Sequence, residues 1–263
     1  SKFWHHNYGK VSAFWGILFI ICFSISFFDY TLFYILEVYL REFIPFIVLL
    51  LALFTVSGGI LITGNLSGSP VLNLSILLIG TSLASIMGTT GASMLLVRPL
   101  IRANSWRKNK THLIVFFIFL VSNIGGSLTP IGDPPLFLGF LRGVDFTWTL
   151  FNMYMPMIFV SLILLLLFYI VDSYYYNKEL DDAPKSEELS IKIDGKINFI
   201  LIGFIVMAVI LSGLESLKDL SFFTYHGTMM MSYGTLVQLI ILLTVTFVSL
   251  KITPKEYREG NDF

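Results

Sequence analysis

Between two strongly apolar runs, residues 113–121 and 136–141, the chain reads Ser-Asn-Ile-Gly-Gly-Ser-Leu-Thr-Pro-Ile-Gly-Asp-Pro-Pro over residues 122–135. Three prolines and three glycines in fourteen residues cannot continue an α-helix, because proline removes a backbone donor and clashes with the preceding turn. A helix entering this stretch must open. In a chain this apolar the opening is expected at membrane depth, where unpaired backbone survives only when buried in protein or lining a cavity. The freed carbonyls and amides, with Ser122, Asn123, Ser127, Thr129 and the carboxylate of Asp133, are what a broken transmembrane helix uses to hold an ion or a substrate.

Composition supplies the membrane premise. Hydrophobic residues make up 56% and charged residues 13% of the chain, with a mean hydropathy of +0.81, whereas soluble domains carry about 25% charged residues. An all-α, multi-span integral membrane protein is expected, with the lipid bilayer as its first partner. A formal net charge of zero leaves no footprint for nucleic acid. The single cysteine, Cys22, lies in an apolar run and can form no internal disulfide. No cleavable signal peptide is apparent. The chain starts at Ser1 and stops at Asp262-Phe263 after a polar run, so a longer parent chain is expected. Residues 1–263 read as one transmembrane domain with a cytoplasmic loop over 173–196.

Residues 1–10 are polar and basic. The adjacent His5-His6 pair has no nearby carboxylate or cysteine, which favours a headgroup-facing role over metal binding. Spans are predicted over 11–28 and 44–62, close to the roughly 20 residues that a bilayer core requires. The tyrosine- and phenylalanine-rich residues 29–43 between them are expected at the interface. Further spans are predicted over 150–171, 197–214 and 229–250, with 215–228 at the outer surface. The polar stretch 172–196, which carries six acidic residues from Glu179 to Asp194, reads as a flexible loop.

Residues 71–97 are a second irregularity. About 27 residues at roughly 1.5 Å each exceed a minimal single span and fall short of two. Gly88-Thr89-Thr90-Gly91-Ala92-Ser93 interrupts the middle. Two readings stand open: a re-entrant hairpin with its tip near the midplane, and one tilted span whose small residues pack against a neighbour. Arg98, Arg102, Arg107, Lys108 and Lys110 then follow without an acidic residue among them, which places that loop in the cytoplasm. With a hairpin and the amino terminus inside, every Lys and Arg except Arg41, Arg142 and Lys218 is cytoplasmic. A full span with the amino terminus outside moves Lys2 and Lys10 out and Arg41 in, so the charge rule does not separate the two readings.

Residues 88–100, Gly-Thr-Thr-Gly-Ala-Ser-Met-Leu-Leu-Val-Arg-Pro-Leu, paired with the 122–135 stretch, resemble the first repeat of the ion transporter superfamily. That group includes NhaD-type sodium:proton antiporters, arsenite permeases, citrate transporters and divalent anion:sodium symporters. Within it the likeness is to the citrate transporter and NhaD-like antiporter branch of bacterial proteins. It covers most of the chain, and 122–135 is its most specific part. The resemblance implies a secondary transporter of the bacterial inner membrane built from inverted repeats, with a hairpin and a broken helix from each repeat meeting at the ion site. This chain then supplies one half, and the other comes from a longer parent chain or from a homodimer partner. Carried over by position, Thr89, Thr90 and Ser93 lie at the hairpin tip, while Ser122, Asn123, Gly126 and Thr129 line the broken-helix loop. Two departures stand out. The symporters carry an asparagine at the hairpin tip where this chain has only Gly88, Thr89 and Thr90, and they carry threonine before the paired prolines where this chain has Asp133, as the antiporter branch does.

That aspartate separates the mechanisms. A carboxylate at membrane depth costs a few kcal/mol, so it is usually functional and paired or solvated. Competition between a proton and sodium for one carboxylate suffices for exchange. The leading expectation is sodium:proton antiport, with Asp133, Asn123 and Thr129 as oxygen ligands and no cofactor beyond sodium and the proton. The structural alternative makes Asp133 the cap of a half-helix opening at Pro134-Pro135. The second functional expectation is transport of citrate or another carboxylate coupled to a cation. No Lys or Arg lies inside an apolar run, and Arg98, beside Pro99, reads as a topology anchor. An intramembrane enzyme is the remaining class: Ser93 and Ser122 are candidate nucleophiles, but neither has a histidine nearby in sequence, and His112 and His226 lie at interfaces.

Overall fold

The computed structural model describes residues 2–65, 67–179 and 190–261. The first helix, α1 (Lys2–Ser26), has no buried residue in its apolar stretch His6–Ser26, the state of a helix surrounded by lipid. His5 and His6 fall on successive helical positions, about 100° apart. No group of three or more His, Cys, Asp or Glu able to hold a metal occurs among the described residues. Cys22 is exposed on the same helix.

At Phe27 (φ −139°, ψ 50°) the chain leaves the helix and enters α2 (Phe28–Glu37), a π turn (Val38–Phe43) and α3 (Ile44–Ser57), which together run as one 30-residue apolar helix. Residues 29–43, expected as a separate interfacial segment, are thus the first half of the second long helix. The π turn has a local cause: the Pro45 ring crowds the carbonyl four residues back, and the ladder widens so that Ile44 N donates to Tyr39 O. The helix ends at Ser57, short of the predicted 62, and Leu61–Asn65 forms strand β1.

The remaining order is α4 (Pro70–Ala103), α5 (Thr111–Leu120), a 3-10 turn (Ile124–Leu128), α6 (Pro134–Leu141), α7 (Trp148–Lys178), β2 (Ser190–Asp194), α8 (Ile197–Ser212), α9 (Glu215–Lys218), β3 (Ser221–Tyr225), β4 (Thr228–Ser232), α10 (Tyr233–Ile252) and α11 (Lys255–Glu259). β1 pairs antiparallel with β2, and β3 with β4. The last span therefore begins at Tyr233, because residues 229–232 belong to a β-hairpin, and Ser232 caps α10 by accepting from Thr235 N at 3.1 Å. Within the predicted loop over 172–196, α7 reaches Lys178 and β2 occupies 190–194, while 180–189 lie outside the described residues. The core joins α3, the hairpin arms of α4, α8 and α10 through Leu49, Leu53, Val56, Leu77, Ile205 and Leu242.

Among the described residues, six helices are long and apolar enough to cross a membrane. One of them, α4, folds back on itself. Gly88 (φ 80°, ψ 151°) is its single non-helical residue, in the left-handed region open to glycine. Beyond it the second arm returns along the first. Asn73 Nδ2 donates to Asn104 Oδ1 at 3.0 Å and Asn104 Nδ2 returns to Asn73 Oδ1 at 2.7 Å. Gly68 N meets Ala103 O at 2.9 Å, and Gly80 faces Leu96. The hairpin reading is the correct one.

A polar clasp holds the hairpin base. Asp172, on α7 and not in a loop, is fully buried and takes Arg107 at 2.5 Å, His112 Nε2 at 2.8 Å and Asn73 Nδ2 at 2.9 Å. Arg107, one of the basic run expected to mark a cytoplasmic loop, is buried between Trp106 and Tyr176. Arg98 donates to Gly260 O at 2.7 Å, and Arg258 to Thr55 O at 2.6 Å. The hairpin base, the β1–β2 pair and the α10–α11 end therefore share one face, the one that the charge rule predicts to lie in the cytoplasm. Arg142 pairs with Glu42 on the opposite face.

Candidate functional site

The hairpin tip sits inside the break that follows α5. Thr89 N donates to Gly132 O at 2.9 Å. Ser85 Oγ donates to Gly125 O and accepts from Leu128 N at 3.3 Å, while the Ser85 carbonyl accepts from the Thr129 hydroxyl. Ser93 Oγ and Ser122 Oγ are 2.9 Å apart. These bonds replace the helical ladder that the prolines and glycines deny to 122–133, as membrane-depth backbone requires. Close approach explains two glycines here: a Cβ on Gly125 would run into Thr81 O at 2.6 Å, and one on Gly132 into Gly126 O.

The eight predicted residues divide by what their polar atoms do. Thr89 and Gly126 are buried against each other. Ser93 and Ser122 are joined to each other. The Thr129 hydroxyl donates to Ser85 and accepts from Gly132 N at 3.2 Å, so it is first of all a structural group. Thr90 is exposed and lines a cavity. Asn123 is exposed, and its Nδ2 donates to Ile118 O at 2.9 Å; among the described residues its Oδ1 has no partner. Asp133 occupies the N-cap position of α6 with extended backbone (φ −141°, ψ 136°), and its carbonyl accepts from Leu136 N at 3.0 Å, but its carboxylate makes no capping hydrogen bond. The cap reading thus holds for its backbone and for its charge beside a helix start, while the side-chain oxygens remain available.

Ser85 and Ser57 escaped sequence reasoning. Ser85, one helical turn before Gly88, bridges both sides of the break and left no signal beyond being a serine on an apolar arm. The Ser57 and Ser127 hydroxyl oxygens are buried without a hydrogen-bond partner among the described residues, and Ser57 lies against Gly91 of the hairpin.

Beside the hairpin tip lies a cavity of about 350 Å³ bounded by Phe46, Leu50 and Phe54 of α3, by Met87–Gly91 of the tip, and by Pro130, Ile131, Gly132 and Pro134 of the break. Thr89 and Thr90 supply its side-chain polarity, and no charged side chain lines it. Carbonyl and hydroxyl oxygens suit a hard cation; a multiply charged anion finds no countercharge there. The serine nucleophile idea loses its base, since Ser93 and Ser122 bond each other and His112 is held by Asp172 at the far end of the hairpin.

Fold and site define a multi-pass helical membrane protein built round a hairpin tip clasped by a broken helix. The chain's own pattern places it more closely. A family model described as "Putative citrate transport" matches residues 1–263, and the chain belongs to that family, which is one of transporters. No curated protein and no solved structure matches it.

Proposed function

We propose that this chain is the cation-binding half of a secondary transporter for a citrate-class carboxylate in a bacterial inner membrane, with Asp133 as the acceptor shared by sodium and the proton. The observation that carries this is the Asp133 carboxylate, half-buried at the start of α6 with no capping hydrogen bond. Asn123 Oδ1 and carbonyls of the break complete the oxygen set, while Thr129, Ser93, Ser122, Thr89 and Gly126 hold its shape. A cation at the break adds positive charge beside the uncharged cavity at Thr90, which is what a carboxylate needs there. Remaining countercharge comes from a second repeat half, in a longer chain or a homodimer.

Sodium:proton antiport without a carboxylate is the second reading, favoured by the absence of any cationic side chain from that cavity. One experiment separates the two. The full-length protein in proteoliposomes is given sodium, lithium, potassium or citrate under a pH gradient, and the measurement is repeated with Asp133→Asn. Citrate uptake driven by sodium or protons and lost in Asp133→Asn supports the carboxylate transporter. Gradient dissipation by sodium or lithium alone, lost in the same variant, supports the antiporter. Normal transport by Asp133→Asn with unchanged pH dependence removes Asp133 from both.

A further inference from the structure

The short helix after the break, α6, is lightly held. Phe137 is its single buried residue. The hairpin tip is bonded to the break at Gly132, whose carbonyl accepts from Thr89 N at 2.9 Å, and α6 then starts on Pro134 and Pro135, which have no N–H to tie it further. At its other end the chain turns at Gly143 (φ 99°) in open space. Three side chains dock the helix. Phe140 rests on Gly213 at the end of α8 and meets Phe146 edge-on with ring centres 6.1 Å apart. Phe137 stacks on Phe46 of α3 with ring centres 6.5 Å apart. Arg142, just past the end of α6, pairs with Glu42 in the π turn. The neighbouring Arg41 is engaged by Glu37 at 3.0 Å.

These contacts have an order along the cavity beside the hairpin tip. Because α3 runs inward from Ile44, Phe46 is the wall residue of α3 nearest the predicted outer face; because α6 runs outward, Phe137 is its last residue on the wall. The two rings therefore close the outer end of the cavity. Phe46 follows Glu42 in the chain and Arg142 follows Phe137, each by roughly one helical turn, so the ion pair lies one layer outside the rings, on the same two elements. At the side of the cavity Ile47, Leu51 and Phe54 are exposed, within an apolar helix whose surroundings are lipid or protein and not water. A solute arriving from the predicted outer face thus meets the ion pair, then the rings, then the tip. The closure is weakly fastened: Arg142 is 68% exposed, and an exposed ion pair stabilises little.

We propose that α6 is the outer gate of the transport pathway, with Phe137 against Phe46 as the plug and Arg142–Glu42 as its latch. The gate rests on the chain's belonging to a family of transporters and not on which solute is carried. Its test uses Leu50→Cys, on the cavity wall inward of Phe46, in full-length protein otherwise free of cysteine, with an impermeant thiol reagent outside intact cells. Arg142→Gln is expected to speed labelling about threefold, the scale of an exposed ion pair, and Phe137→Leu, which keeps an apolar core residue, should speed it more. The exchanged pair, Glu42→Arg with Arg142→Glu, should return the rate to its starting value. A reducible bifunctional thiol reagent joining Glu42→Cys to Arg142→Cys should block sodium and citrate flux in proteoliposomes until reductant is added. Labelling unchanged by both Arg142→Gln and Phe137→Leu, or flux unchanged by the tether, overturns the gate and leaves the role of Asp133 standing. A rate that rises in Arg142→Gln and stays raised in the exchanged pair overturns the latch. Labelling that follows the pair in a protein whose transport is indifferent to Asp133→Asn supports the gate while removing Asp133 from the transport site.

Discussion

At Ser85 a single hydroxyl joins the hairpin to the break, through the donation to Gly125 O and the acceptance from Leu128 N. Ser85→Ala leaves both backbone groups without a partner in a buried joint, so it is expected to cost about 1–3 kcal/mol, read as a lower melting temperature of the purified protein, together with reduced transport. Gly88→Ala probes the same joint from the backbone. Its φ of 80° charges an L-residue about 1–3 kcal/mol, and the hairpin tip should lose transport more than the bilayer-spanning helices lose stability. Asp133 was legible in the sequence because a lone carboxylate in an apolar stretch beside paired prolines has few bland explanations. Ser85 was not: its partners lie 40 and 43 residues along the chain, and nothing local distinguishes it from Ser75 or Ser82, whose hydroxyls turn back onto their own helix. Thr129 and Ser122 were legible as polar groups at the break, but their partners, the Ser85 carbonyl and the Ser93 hydroxyl, were not, since residue type cannot say what a hydroxyl bonds.

At the scale of elements, the broken helix was legible because prolines and glycines forbid a ladder wherever they fall. The hairpin was not decided, because 27 residues fit a tilted span as well as a folded one, and the deciding contact between Asn73 and Asn104 is long-range. Cysteines at Ser67 and Ser105, in a Cys22→Ser background, test it directly. A hairpin exposes both to an impermeant thiol reagent from the cytoplasmic side, whereas a tilted span would put them on opposite sides. The Arg107–Asp172 pair locks this element to α7, and both side chains are fully buried. Asp172→Ala strands the guanidinium and is expected to destabilise by about 3–5 kcal/mol, whereas replacing both partners with apolar residues of similar volume should recover much of that loss. Thermal melting of the single and double variants, with unfolding of the hairpin base followed by thiol reactivity at Ser105→Cys, reads the difference. Sequence reasoning took Arg107 for one more member of a cytoplasmic basic run, because such a run looks the same whether or not one member turns inward to a distant carboxylate.

Across the whole molecule, the faces of the bundle follow from a few tethers. β1 pairs with β2, Arg98 reaches Gly260, and Arg258 and Asn261 cap the end of α3 at Thr55 and Gly58. These place the end of α3, the hairpin base, the end of α7 and the end of α10 on one side. Because α4 does not cross, the long helix Phe28–Ser57 must bring the chain to that side from the other, and α1 must start where Phe28–Ser57 finishes. The amino terminus is therefore expected on the cytoplasmic side, the choice that the positive charges alone left undecided. Among the described residues, every Lys and Arg except Arg41, Arg142 and Lys218 then belongs to the predicted cytoplasmic side, in keeping with the charge rule. In intact cells expressing the full-length protein without Cys22, a cysteine at Lys10 should resist an impermeant thiol reagent and one at Lys218 should react. After permeabilisation Lys10→Cys should react as well. Labelling of Lys10→Cys in intact cells would require α4 to span the membrane, which the Asn73–Asn104 pair does not allow, and would displace the hairpin from its place at the broken helix.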